Sequence, residues 1–380
     1  MSTEDWRALW RLDPTIAHCN HGSFGAVPTA VAETQQHWRD RMHANPMRFF
    51  KREQRPSVES ARERAAAFVG ADPAGFALIP NATSGASTVL SAIALEPGDE
   101  VLVTDHGYGA VRYAVERACA RTGARMVTAE VPLDVAAELI EELVVGAVTP
   151  RTRLAVIDHI TSPTARRFPV EWLVPALRDR GVAVLVDAAH APGMLPLDLT
   201  ALDPDYWVGN FHKWACAPSG SAGLYVSARH RSTIRPLVAS WKEPYGYPLA
   251  FDYLGTADLT PWLATPAALD LFDRLGWDDV RCHNIALVAE GQAVVAAALG
   301  LDPTTLIGDE GLSMRILPLP AGVGDTHEAA VALYGRIADE LGVEVATVAW
   351  RGHGLLRISA HAYNVPDDYT RLAAGLPLDW

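Results

Sequence analysis

Short apolar runs alternate with longer amphipathic segments along most of the chain. Seven runs have the length and composition of buried strands, at residues 76–79, 101–104, 125–128, 154–158, 182–187, 206–208 and 223–226. Three segments between them carry apolar positions at helical spacing, at residues 110–121, 135–145 and 170–180. Strands that alternate with helices are typical of βαβ units. The pattern therefore predicts an α/β fold with a large, mostly parallel sheet that is covered on both faces.

Near both ends of the chain, the pattern of apolar and polar residues differs from this alternation. Residues 31–44 and 58–69 are compatible with helices, and we predict an irregular segment between them at residues 45–50. Beyond about Pro261, a long helical stretch is predicted at residues 265–299. It is followed by a β-α-β-like tail, with elements at residues 314–317, 328–341, 343–348 and 355–359. This second pattern predicts a smaller α+β domain at the C-terminal end.

Composition and charge narrow the classes of partner. The chain has 380 residues and a formal charge of −13, and a nucleic-acid partner would need a positive face. The four cysteines are scattered without C-x-x-C spacing, which favours thiols in a reducing cytoplasm over disulfides or a zinc site. The N-terminus lacks the pattern of a signal peptide, and no apolar run approaches the ~20 residues that span a bilayer. We therefore expect a cytoplasmic protein with no nucleic-acid, membrane or metal partner.

Polar side chains follow two of the predicted strands. Thr83 and Ser84 stand between the strand at 76–79 and an apolar helix, where hydroxyls and free N–H groups can hold a phosphate. A helix N-cap explains the same residues equally well. Asp187 ends a wholly apolar strand and needs a cationic partner there, such as a protonated pyridine nitrogen, unless it is a turn aspartate.

A lysine follows a third strand. Lys213 lies in a turn among Trp207, Phe211 and Trp214, and a lysine on such a turn is ordinarily solvated surface. Apolar surroundings lower the pKa of an amine, which favours imine formation with an aldehyde. The lysine comes 26 residues after Asp187. The sequence thus combines a candidate phosphate site, a buried acid and a reactive amine.

This combination is the fingerprint of fold-type I enzymes that use pyridoxal 5′-phosphate (PLP). Over about residues 15 to 365, the chain resembles the isopenicillin N epimerase-like branch of the class V aminotransferase superfamily. The resemblance is carried by the segments at residues 20–25, 45–49, 105–108, 186–193, 211–214, 255–258 and 356–363. It implies the fold-type I PLP-dependent transferase fold, with a large PLP-binding α/β domain at 17–258 and a small α+β domain at 259–380. Residues 1–16 are then expected to pack on the small domain.

The resemblance also implies roles for individual residues around PLP. Lys213 would bind the cofactor aldehyde and then act as the acid and base at Cα, and Asp187 would pair with the pyridine nitrogen. Thr83, Ser84 and His212 would bind the phosphate, the ring of Tyr108 would stack on the cofactor, and His190 and Ser162 would lie near its phenolic oxygen. Thr256 would reach the phosphate of the neighbouring subunit, which implies a homodimer with shared active sites. Relatives often carry an arginine after that threonine, whereas this chain has Ala257.

The substrate is expected to be an amino acid. Arg357 would hold its α-carboxylate by a bidentate pair, although a surface cation on an edge strand is the alternative interpretation. Asn20, His21 and Arg48 are further candidates for substrate contacts. For a second acid or base, Tyr108 and His106 both remain open. The aromatic residues within 240–253 either line a pocket for a bulky side chain or form a dimer contact.

The fold alone does not decide which bond at Cα breaks. We favour a C–S lyase that performs β-elimination on an S-substituted cysteine, with a role in specialised metabolism, because one lysine base and one acid suffice. Epimerisation remains open and needs a second base among Tyr108, His106 and His21. Decarboxylation coupled to oxidative deamination also remains open. Persulfide-forming desulfurases are not expected, since no cysteine follows Cys282.

Two more distant hypotheses are weaker. A non-catalytic scaffold would be expected to lose Lys213 or Asp187, and both are present. A dinucleotide-dependent dehydrogenase would carry G-x-G-x-x-G after its first strand, which this chain lacks there. The sequence therefore favours an enzyme that uses PLP.

Overall fold

The computed structural model describes residues 6–376, apart from the side chain of Pro303. Strands β1 to β12 are, in chain order, Ala17–His18, Phe76–Ile79, Glu100–Thr104, Arg125–Ala129, Thr152–Asp158, Ala183–Asp187, Tyr206–Asn210, Ala222–Val226, Met314–Pro318, Val343–Glu344, Ala346–Trp350 and His353–Ser359. The longer α-helices α1 to α11 are Thr29–Ala44, Gln54–Phe68, Ala82–Ala92, Gly109–Thr122, Ala137–Gly146, Val170–Arg178, Leu199–Leu202, Thr260–Leu275, Trp277–Ala298, His327–Arg336 and Pro366–Ala374.

Seven strands form one large sheet in the order β2-β8-β7-β6-β5-β3-β4. The pairs among β3 to β7 are parallel, and only β8 runs against both of its neighbours. The prediction of an α/β fold with a mostly parallel sheet is therefore confirmed. Because parallel strands end at the same edge, the residues that follow β3, β5, β6 and β7 converge there.

Both faces of this sheet are buried under helices. In β5, Ala155 and Ile157 contact one apolar cluster, whereas Leu154 and Val156 contact the cluster on the opposite face. Helix α3 packs on the second of these faces. Side chains therefore alternate between the two faces along each strand. The last residue of a strand lies on the same face as the residue two positions before it.

The C-terminal part forms a separate three-stranded antiparallel sheet in the order β11-β12-β9. The short strand β1 pairs in parallel with β10, so the start of the chain joins this region. Near the N-terminus, Trp6 and Trp10 are buried in a cluster with Phe272 and Tyr363. The boundaries at residues 16 and 258 nevertheless stay predictions. No helix among the described residues is long and apolar enough to cross a membrane.

One sequence prediction of local structure was wrong, and the structure adds a break to a second. The expected irregular segment at 45–50 is helical, because the Asn45 side chain accepts a hydrogen bond from the Arg48 N–H and Pro46 occupies the first helical position. A π-helical turn, Phe49–Glu53, continues it into α2. The long helical stretch predicted at 265–299 is helical but divided into α8 and α9, because Gly276 adopts a left-handed φ of +85° between them.

Helix α3 approaches the sheet closely at Gly85. A Cβ at this position would lie 2.5 Å from Cγ1 of Val208 and 2.6 Å from Cδ1 of Ile79. The absence of a side chain therefore lets the N-terminal end of α3 rest directly on β2 and β7. This contact sets the height of that helix end above the carboxyl edge of the sheet.

We predict that Gly85→Ala lowers the free energy of unfolding by about 1–3 kcal/mol, because overpacking pushes α3 off the sheet. Gly335→Ala is the matched control, since a Cβ added at this position of α10 would have no neighbour within 4 Å. That change should instead stabilise the protein by about 0.5–1 kcal/mol through helix propensity. Chemical denaturation measures both, and equal effects at the two positions would contradict the close approach.

Candidate active site at the carboxyl edge of the large sheet

A cavity of about 370 Å³ opens where the parallel strands end. We name it the Lys213 cavity, and it is lined by Ser23, Phe24, Asn81, Ala82, Thr83, Tyr108, Asp158, Ile160, Ser162, Asp187, Ala189, His190, Asn210, His212 and Lys213. Several predicted site residues that are far apart in the sequence therefore meet in one place. Sequence analysis missed Asp158 and Asn210, although both end strands as Asp187 does.

The surroundings of Lys213 favour the neutral form of its amine. Its Nζ lies 3.1 Å from Nε2 of His190, and Trp214 donates its indole N–H to Nδ1 of the same imidazole at 3.2 Å. Because an indole only donates, a neutral His190 carries its proton on Nε2 and donates it to the lysine. Burial, and then the charge of Arg357, lower the pKa of Lys213 to about 7, while Asp187 opposes this shift. The amine is thus available as a base or nucleophile near neutral pH.

Asp187 lies at the end of β6, buried to 3% exposure. Its Oδ1 accepts a hydrogen bond from the N–H of Ala189 at 3.1 Å. Burial raises its pKa, whereas this hydrogen bond and the charge of Lys213 act in the opposite direction. A cationic ring nitrogen beside Asp187 would offset the cost of burying the carboxylate.

The start of helix α3 borders the Lys213 cavity. Asn81 is the N-cap, and its Oδ1 accepts a hydrogen bond from the Ser84 N–H at 2.8 Å. Thr83 lines the cavity, but the Ser84 hydroxyl donates to the Asn81 carbonyl at 2.7 Å and Ser84 is outside the lining. His212 also lines it, with Nδ1 bound to the Ser221 carbonyl at 2.8 Å, which leaves Nε2 available. The expected phosphate role therefore has geometric support at Thr83 and His212 and none at the Ser84 hydroxyl.

Arg357 is a buried cation on β12, only 4% exposed, so the surface-cation interpretation is wrong. Its guanidinium donates to Asn20 Oδ1 at 3.2 Å, to Ser23 Oγ at 3.0 Å and to Ser162 Oγ at 3.2 Å. Among residues 6–376, no carboxylate lies within ion-pair distance of it, and burial lowers its pKa to about 10. A buried cation held by neutral groups is suited to receive an anion such as a carboxylate.

Two predicted histidines lie outside the Lys213 cavity. His106 is fully buried, with Nε2 2.8 Å from the Val131 carbonyl and Nδ1 2.6 Å from the Thr164 hydroxyl. His21 lies behind the lysine turn, where Nε2 is 2.9 Å from the Lys213 carbonyl and Nδ1 is 2.9 Å from the Tyr363 hydroxyl. Each ring therefore has both nitrogens engaged, which leaves neither free for proton transfer or for a substrate contact.

The other candidates lie at the surface or at the rim. Tyr108 lines the cavity just before α4 and is 44% exposed. Arg48 is exposed and pairs with Glu53. Thr256 is exposed and, with Trp241, lines a different cavity of about 680 Å³. The substrate role of Arg48 and the cross-subunit role of Thr256 stay predictions, because neither residue lines the Lys213 cavity of its own chain.

Comparison with known proteins gives the family. The family model described as aminotransferase class-V matches residues 25–372. The chain is 34% identical to isopenicillin N epimerase of Streptomyces clavuligerus, over 99% of this chain and 98% of that protein. It is 30% identical to a probable chloroplastic L-cysteine desulfhydrase of Arabidopsis thaliana, over 95% of this chain and 82% of that protein. A hercynylcysteine sulfoxide lyase of Schizosaccharomyces pombe is 29% identical, over 76% of each.

Solved structures agree on the fold. A cystine C–S lyase bound to cysteine persulfide superposes with a TM-score of 0.81 at 22% identity, over 95% of this chain and 97% of that one. A cysteine desulfurase from Escherichia coli gives a TM-score of 0.80 at 20% identity, over 99% and 98%. At these identities the likeness establishes the fold-type I architecture and leaves the reaction open.

The residues of the Lys213 cavity fit PLP, the cofactor of this protein. The neutral amine of Lys213 suits the aldehyde, the buried carboxylate of Asp187 suits the pyridine nitrogen, and the start of α3 with Thr83 suits the phosphate. The protein belongs to the class V aminotransferase family, in its isopenicillin N epimerase-like branch.

Proposed function

We propose that the protein is a C–S lyase that eliminates a sulfur leaving group from an S-substituted cysteine. The observation that carries the proposal is which of the four residues predicted to transfer protons at the substrate line the Lys213 cavity. The neutral amine of Lys213 and the phenol of Tyr108 both line it, whereas His106 and His21 do not. One base and one acid are what β-elimination requires.

In this proposal, Arg357 binds the α-carboxylate, and so orients Cα toward Lys213. PLP supplies an electron sink for the bond that breaks at Cα, and Asp187 sustains it by stabilising a positive pyridine nitrogen. Lys213 removes the Cα proton. The electron pair of the C–S bond leaves with sulfur, which takes a proton from Tyr108, and water then releases pyruvate and ammonia from the remaining fragment.

Epimerisation at Cα is the second candidate, favoured by 34% identity to isopenicillin N epimerase. It needs proton delivery on both faces of Cα, and among the three residues considered for the second face only Tyr108 lines the cavity. Decarboxylation coupled to oxidative deamination would instead break the bond to the carboxylate that Arg357 is proposed to hold.

A desulfurase reaction would need a nucleophilic cysteine near the substrate. Cys19, Cys119 and Cys216 are buried, and the exposed Cys282 lies on helix α9. None of the four lines the Lys213 cavity. This arrangement supports the proposal that sulfur leaves as a free product and is not transferred to the enzyme.

The proposal includes a homodimer. Trp241 is 88% exposed and Tyr245 is 58% exposed, and both line the same surface cavity as Thr256. Exposed clusters of large aromatic side chains are typical of protein interfaces. This supports the dimer-contact interpretation of residues 240–253. A cytoplasmic location and a role in specialised metabolism stay predictions.

The first test uses a panel of cysteine S-conjugates in D₂O. We expect equal amounts of thiol and pyruvate from at least one conjugate, and no product with Lys213→Ala. Recovered substrate is analysed for deuterium at Cα and for its configuration. Inverted, deuterated amino acid without pyruvate would contradict the lyase proposal and support epimerisation.

The second test separates the role of the Tyr108 hydroxyl from that of its aromatic ring. Tyr108→Phe should lower kcat by about 10²-fold when the leaving group is an alkyl thiolate, because that group needs a proton and a general acid contributes that order of rate. The loss should be much smaller when the leaving group is an aryl thiolate. Tyr113→Phe is the matched control, since Tyr113 lies on the helix that follows Tyr108 and is 71% exposed. Equal losses for both leaving groups would argue against an acid role.

The third test measures the protonation of Lys213. In the apoprotein, reductive methylation followed by mass spectrometry should show half-maximal labelling of Lys213 near pH 7, because burial lowers its pKa to about 7. The neutral fraction, and with it the rate, rises as the pH rises through that value. The exposed Lys51 is the internal reference. Identical pH profiles for both lysines would show that the cavity does not favour the neutral amine.

A further inference from the structure

Two carboxyl groups line the part of the Lys213 cavity where the pyridine nitrogen of PLP is expected to bind Asp187. Asp158 ends β5 and Asp187 ends β6, and the two are register partners in neighbouring parallel strands. Both lie on the same sheet face as Leu185, and both line the cavity with 4% and 3% exposure. Partners in register point their side chains in the same direction. The carboxyl of Asp158 therefore lies beside that of Asp187.

The backbone after β3 leaves room for this second carboxyl. A Cβ at Gly107 would lie 3.7 Å from Oδ2 of Asp158, which is an ordinary contact distance, so the backbone at Gly107 lies next to this carboxyl. The next residue is Tyr108, whose backbone N–H also faces Asp158. Asp158 is thus enclosed by the residue expected to stack on PLP and by the residue expected to bind its nitrogen.

The positive charges near Asp158 and Asp187 are too few to neutralise two carboxylates. Within residues 6–376, no cation lies within ion-pair distance of either Asp158 or Asp187. Of the charged groups that bear on the pair, Lys213 acts on Asp187, and only Asp187 acts on Asp158. Two adjacent carboxylates in a buried site cannot both ionise at low cost, so one of them retains a proton.

The proton belongs on Asp158. Burial first, and then the charge of Asp187, raise the pKa of Asp158 well above its usual range. Backbone N–H groups favour the ionised form of both carboxyls, from Ala189 at Asp187 and from Tyr108 and Asp158 itself at Asp158. Only Asp187 is also stabilised by Lys213 when that amine is protonated. The same division of one proton between two carboxyls is used by other enzymes to give each a separate role.

We propose that Asp158 and Asp187 act as a pair that carries a single negative charge, in which Asp158 remains a neutral acid and positions the carboxylate of Asp187 toward the pyridine nitrogen of PLP. One negative charge then meets one ring cation. Asp158 is a positioning residue here, since it acts on the cofactor through Asp187. The inference rests on the PLP site and holds whichever bond at Cα breaks.

The direct test is infrared spectroscopy of the holoenzyme labelled with ¹³C-aspartate. At pH 8 the wild type should show a protonated-carboxyl stretching band that is lost in Asp158→Asn. Asp252, whose pKa is raised to about 6, is ionised at that pH and does not contribute. Asp205→Asn is the matched control, because its partners His230 and Arg229 keep that buried carboxyl ionised, so that only a carboxylate band should be lost.

A second measurement is the dissociation constant for PLP. Asp158→Asn keeps a neutral donor and should change it by less than about threefold, whereas Asp158→Ala should weaken binding about tenfold, the order expected for one hydrogen bond. Asp187→Asn should weaken it on the order of 100-fold, since a charged partner is lost. Rescue by asparagine and not by alanine distinguishes a neutral donor from a charge.

Three outcomes would overturn the proposal. The first is a wild-type spectrum at pH 8 without a protonated-aspartate band, and this measurement does not depend on the folding of any variant. The second is loss of a carboxylate band in Asp158→Asn. The third is weakening of PLP binding by Asp158→Asn as large as that of Asp187→Asn. None of these depends on finding the substrate, so failure here is distinguishable from failure of the proposed lyase reaction.

Discussion

Ionisable groups buried without counter-ions are the constraint around which this site is organised. Arg357, Asp187 and Asp158 are each at most 4% exposed, and none has an ion-pair partner among the described residues. Burying a charged group costs several kcal/mol unless a partner is supplied, which applies to Arg357 and to the single charge proposed for the carboxyl pair. In the proposals above, ligands would supply these partners, as a ring cation beside Asp187 and a carboxylate at the guanidinium. The site is therefore most favourable when it is loaded.

The state of Lys213 depends on a short chain of hydrogen bonds. Trp214 fixes the tautomer of His190, and His190 in turn donates to the amine. Behind the turn, His21 binds the lysine carbonyl and is itself held by Tyr363. Rigid neighbours therefore orient the amine from two sides, which is how a reactive group keeps one geometry.

The residues of this site are compatible with more than one of the reactions considered. The amine of Lys213 and the phenol of Tyr108 line the cavity, and Arg357 lies behind its lining residues Ser23 and Ser162; these groups would serve elimination and epimerisation alike. In the proposed mechanisms, the two reactions differ in whether Tyr108 faces the leaving group on Cβ or the second face of Cα, and that would depend on the pose of the substrate.

The sequence by itself determined the α/β architecture, the strand ends that bear Asp187 and Lys213, and the family, because these follow from local periodicity and from short contiguous segments. It could not assign His106 and His21, whose ring nitrogens are occupied by groups distant along the chain. It did not single out Asp158 either, because a strand-end aspartate matters only beside the register partner that the sheet provides. Tertiary structure alone decided which polar groups are left without a partner, since pairing and burial are properties of the folded whole.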